Sequence, residues 1–152
     1  ITTVAGNGND AYSGDGGLAI NAGLRFPDDV AADAAGNVYF SDSSVSRIRK
    51  ITPDGVVTTY AGTGTSGFSG DGGLAVNANL YSVRAIAIDV PGNLYILDGN
   101  RVRKVATNGI ITTIAGDSNT GYAGDGADGG SAGHAAQQAR TDFGAAVVGV
   151  DV

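Results

Sequence analysis

The chain of 152 residues has no cysteine, no methionine and no tryptophan, and none of its 15 acidic residues is a glutamate. The missing cysteines exclude a disulfide framework and a thiolate metal site. With a single histidine, His134, neither a multi-imidazole zinc centre nor a Ser-His-Asp triad drawn from two repeats can be assembled, and no Gly-x-Ser-x-Gly elbow occurs. Nine basic residues against a net charge of −6 leave no broad cationic face for a phosphate backbone, which argues against nucleic acid. No apolar run reaches the roughly 18 residues of a membrane span, and no basic segment followed by an apolar stretch opens the chain. Ile1 begins directly with strand-like sequence; a processed N-terminus and an extracellular or cell-surface location are expected.

What is abundant is glycine, at 26 residues, together with aspartate. Both favour tight turns, whereas the absent Glu and Met and the scarce Lys favour helices, so many short strands are expected. The hydrophobic content of 42% suffices for a core.

The chain repeats itself. Ile-Thr-Thr-Val-Ala-Gly at residues 1–6 recurs as Val-Thr-Thr-Tyr-Ala-Gly at 57–62 and Ile-Thr-Thr-Ile-Ala-Gly at 111–116, a period of about 55 residues. Three further segments recur in the same order: Ser-Gly-Asp-Gly-Gly at 13–17 and 69–73, an Asp-x-x-Gly-Asn-x-Tyr stretch from Asp33 and from Asp89, and Arg47-Ile-Arg-Lys with Arg101-Val-Arg-Lys. Each period predicts four strands; in the second they span 84–89, 93–98, 101–105 and 110–115. Gly92-Asn93, Gly99-Asn100 and Asn108-Gly109 supply the turns of an antiparallel meander. Residues 30–33 and 37–42 are apolar at nearly every position, which predicts sheets covered on both faces and therefore stacked radially, as propeller blades are.

These motifs together resemble the NHL-repeat β-propellers, and in particular the bacterial version of the repeat. The resemblance covers residues 1 to about 116 and weakens beyond, where Gly124-Asp125-Gly126 resembles the acidic loop and residues 146–151 a first strand. It implies an all-β fold of four-stranded blades, incomplete in this chain because family rings close with about six blades. The expected layout is a lone fourth strand at 1–6, blades at 28–62 and 84–116, a Gly/Ala-rich loop at 117–145 and a lone first strand at 146–151. Some NHL-like propellers are lyases with histidine-bearing metal centres, but nothing here matches those positions; the chain is expected not to be an enzyme.

Two blades expose their outer faces, and strand edges at 1–6 and 146–151 lack partners, so copies are expected to join into a ring or filament. The alternative is a module, or a fragment of a longer propeller, that binds glycan, peptide or Ca²⁺. Asp15, Asp71 and Asp125 in the acidic loops are candidate Ca²⁺ ligands, and possible neighbours are Asp10, Asp117 and Asp128; these loops fit no established calcium spacing, and the competing role is capping of nearby backbone N–H groups. Asp42 with Arg47, and Asp98 with Arg101, are expected cross-strand ion pairs. Tyr12, Phe68 and Tyr122 precede the acidic loops, placed either to stack on a sugar or to pin the loop. Gly62-Thr-Gly64-Thr-Ser-Gly67 matches a dinucleotide fingerprint, but its repeat equivalents break the pattern and no amphipathic helix follows.

Overall fold

A computed structural model describes residues 1–117. Two four-stranded antiparallel sheets carry the two full repeats, with strands in sequence order. The first holds β1 (Pro27–Ala32), β2 (Val38–Asp42), β3 (Arg47–Ile51) and β4 (Val57–Ala61); the second holds β5 (Val83–Ile88), β6 (Leu94–Asp98), β7 (Arg101–Val105) and β8 (Ile111–Ala115). The only helical segments among the described residues are three-residue 3-10 turns, as the composition requires. Residues 1–6 join no ladder there, and the expected loop and strand over 118–151 lie outside the described residues.

The Asp-x-x-Gly-Asn-x-Tyr motif builds the first turn of each blade. Asp33 accepts bonds from the backbone N–H of Ala35 and Asn37 through Oδ1, and from Asn37 Nδ2 (2.7 Å) and the Tyr39 hydroxyl (3.1 Å) through Oδ2. Asp89 repeats this with Asn93 and Tyr95. A short carboxylate is the right length for such a cage, since it must reach its own backbone two to four residues on.

The blades stack through β1 and β2 against β5. Tyr39, Ile48 and Ala61 of the first blade join Ile86, Leu94, Ile96, Val105 and Ile111 of the second in one buried cluster. A second cluster on the opposite face of the first blade contains Phe40, Ile51 and Val57, covered by Ala19 and Ala22 of the preceding loop. One polar contact crosses between blades: Asp29 accepts its own Val30 N–H through Oδ1 and the Ile86 N–H through Oδ2 (2.7 Å).

The expectation that both inner strands are covered on both faces holds for β2 and fails for β1. Val30 is 64% exposed, while its repeat equivalent Ile86 is 7% exposed. The difference is the neighbour: Ile86 packs on the first blade, whereas no described residue stacks on Val30 in the same way.

Candidate functional site

The Arg-x-Arg-Lys strands and the acidic loops, which the sequence presents far apart, meet. Arg49 and Arg103 point from the third strands into the blades' loop-covered faces and are fully buried. Arg103 donates to the carbonyls of Asn79 and Ser69, both at 2.9 Å, and to Asp71 Oδ1 at 2.6 Å. Its Nη1 also lies 3.6 Å from the buried Asp98 Oδ2. Arg49 repeats the arrangement with Gly23, Ser13 and Asp15. A guanidinium suits this position because its planar fork serves several carbonyls and a carboxylate at once.

Aromatic rings complete the clamp. Tyr12 lies under Arg47 and Arg49, at 4.1 and 4.8 Å, and Phe68 lies under Arg101 and Arg103, at 3.7 and 4.8 Å. Positive charge over the ring face is attractive, so the aromatics fix loop to strand. Tyr122 lies outside the described residues.

The carboxylates of the loops have their oxygens engaged. Asp15 Oδ2 accepts from Tyr12 (2.7 Å) and Thr59 (2.6 Å), and Asp71 Oδ2 accepts the Thr113 N–H (3.0 Å). Partial burial works against the charge of Asp15, and the Thr59 and Tyr12 hydroxyls with the Arg49 charge outweigh it, holding its pKa below the ordinary carboxylate value. Asp71 is depressed in the same way, burial being outweighed by Thr113 and Arg103.

Asp15 and Asp71 each serve a buried arginine and the outer strand, and among the described residues no group of three or more His, Cys, Asp or Glu side chains gathers around them. Asp125 and Asp128, like His134, lie outside those residues. The expected cross-strand ion pairs are replaced by other contacts. Register does put Asp42 opposite Arg47 and Asp98 opposite Arg101. Yet Asp42 caps the Arg25 and Phe26 N–H groups, and Asp98 caps those of Tyr81 and Ser82 at 2.7 and 2.9 Å, while Arg47 and Arg101 turn away onto Tyr12 and Phe68. Two backbone N–H donors at a strand entrance hold each buried carboxylate, and at Asp98 the buried Arg103 guanidinium adds an opposite charge 3.6 Å away.

The stretch 62–67 forms part of the linker that crosses from β4 to the second blade. Gly62 donates to Ala75 and Thr63 to Ala78, and the first helical residues after it are the 3-10 turn Ala75–Asn77.

A family model described as the teneurin NHL domain matches the chain over residues 3–69 and again over 63–125. The chain belongs to this teneurin NHL domain family. Human teneurin-1 is 34% identical over 125 residues, which is 74% of this chain and 4% of the human protein. Chicken teneurin-1 is 40% identical over 93 residues, 53% of this chain and 3% of that protein. The chain thus spans only a few hundredths of the length of these relatives. Among solved structures, an auxiliary nutrient binding protein from Bacteroides thetaiotaomicron superposes with a TM-score of 0.53 at 28% identity, covering 72% of this chain and 28% of that one. The NHL repeat and its propeller blades are therefore shown, and a specifically bacterial form of the repeat is not.

Proposed function

We propose that this NHL-domain chain is a non-catalytic, extracellular propeller scaffold whose first blade is completed by another NHL blade stacking on its open face. The observation that carries this reading is the contrast between Val30 and Ile86, one repeat position with two exposures. Ile1, Val4, Leu18 and Phe26, which precede the first blade's strands, are likewise exposed apolar residues. The supplier is further NHL sequence or a second copy of this chain; self-association into larger particles is the second case. Blade faces rather than strand edges are the joining surface in this reading.

Light scattering of the 152-residue chain tests it. The chain is expected to associate, and Val30→Asp to return it towards monomer with its circular dichroism unchanged. A stable, folded monomer that Val30→Asp leaves unaltered would overturn the proposal. A glycan- or peptide-binding role takes support from the Bacteroides neighbour, whose name is that of a nutrient binding protein. It would have to use rings other than Tyr12 and Phe68, which already lie against arginines. Ca²⁺ would have to displace Arg49 and Arg103 from Asp15 and Asp71.

A further inference from the structure

The last strand of each repeat is uncharged, free of proline and rich in β-branched residues: Val57-Thr-Thr-Tyr-Ala in β4 and Ile111-Thr-Thr-Ile-Ala in β8. Such a strand at the edge of a sheet is a template for pairing with another chain. Both β4 and β8 stand at sheet edges. The sequence also carries the same strand unpaired, as residues 1–5, so a second copy brings a matching partner.

The edges are already occupied. Gly72 donates to the Ile111 carbonyl (2.8 Å), Ile111 donates back to Gly73 (3.0 Å), and Ala75 donates to Gly109 (2.9 Å). Asp71 then takes the next outward-pointing N–H, that of Thr113. In the first blade Gly16, Gly17 and Ala19 make the same three backbone bonds to Val57 and Gly55, and Asp15 takes the Thr59 hydroxyl. Each loop precedes its blade in the chain and closes over that blade's final strand, anchored by the buried arginine of the strand beside it.

We propose that the two Ser-Gly-Asp-Gly-Gly loops are edge straps, each occupying the outer edge of its own blade and withholding it from strand addition by a second copy of this chain. The acidic loop motif is thereby given a task that needs no ligand: glycine lets the backbone lie along the strand, and aspartate ties it to the arginine.

The test uses the Val30→Asp chain, so that association through the blade face is removed first. Gly72→Pro cannot hold the φ of +81° or donate to Ile111, and no atom lies within 4 Å of its added Cβ, so it breaks the strap without a side-chain clash at that Cβ. A severalfold rise in associated protein is expected, and adding Thr113→Pro, which removes the outward N–H, should reverse it. A folded Gly72→Pro chain of unchanged size would overturn the proposal. Should that variant fail to fold, amide exchange in the Val30→Asp chain decides: Ile111 and Thr113 N–H groups exchanging as slowly as those inside β7 support the strap, and exchange at the rate of an open edge overturns it.

Discussion

At the residue scale the buried arginines carry the greatest stake. Arg103 is shared between Asp71 and the wholly buried Asp98, whereas Arg49 pairs with Asp15 alone, a side chain 35% exposed. Removing one partner of a buried pair strands the other, so Arg103→Met should cost about 3–5 kcal/mol and Arg49→Met less, read from urea unfolding. Titration gives a second prediction. Asp15, Asp33, Asp71 and Asp89 all have pKa values lowered in the folded chain. A lowered folded value means that the unfolded chain takes up protons first as pH falls. The stabilisation is therefore fully present above the unfolded value of about 3.9 and is lost as pH drops through the folded values. Melting temperature should stay flat from neutral to about pH 5 and fall below about pH 4, with a shallower fall in an Asp33→Asn, Asp89→Asn double variant. The Asp-x-x-Gly-Asn-x-Tyr turn was legible in the sequence because all its partners lie within six residues. The Asp42 and Asp98 caps were not, since their donors lie 16 or 17 residues upstream in linkers without periodicity.

In the second repeat the turns are specified by glycine and asparagine, and strand positions there were legible to within a residue: 84–89 was expected and Val83–Ile88 is found, 110–115 expected and Ile111–Ala115 found. The first repeat was less legible: β1 begins at Pro27 where 30–33 was expected, and its β2–β3 turn is closed by Ser46 at φ +50° with no glycine or asparagine. Glycines differ in what they protect. Gly62 ends β4 with φ +94°, and a Cβ there would sit 2.2 Å from the Ser46 carbonyl oxygen. Gly55, in the β3–β4 turn, has φ +84° but nothing within 4 Å. Gly55→Ala should cost only the left-handed backbone, about 1–2 kcal/mol, and Gly62→Ala clearly more, because Ser46 and Arg47 must move as well. Equal thermal shifts for the two would show that the close approach at Gly62 is readily relaxed. What sequence patterning could not deliver at this scale was the strapping of β4 and β8: the loops are polar, glycine-rich and without alternation, and their partners lie about 40 residues further along the chain.

For the molecule as a whole, the repeat provides an internal control, the same position with and without a neighbouring blade. Ile86→Ala should cost about 2–5 kcal/mol as a truncation in a filled core, and Val30→Ala less than about 0.5 kcal/mol in a dissociated chain. A large cost at Val30 under dissociating conditions would mean that its face is covered. The repeat period and blade count were visible from four ordered motifs alone; the identity of what covers the first blade is not encoded in the blade itself.

Asp29 makes the two repeats non-interchangeable. One carboxylate serves its own blade through Oδ1 and the next blade through Oδ2, while the corresponding position of the second repeat is Ala85. A blade placed after the first therefore receives an acceptor for its inner-strand N–H, and a blade placed after the second must bring its own. Near-identical repeats thus carry an address as well as a shape. Duplicating the second repeat would leave the Ile86 N–H of the added copy facing Ala85 with no carboxylate to accept it, so a single side chain distinguishes the two junctions.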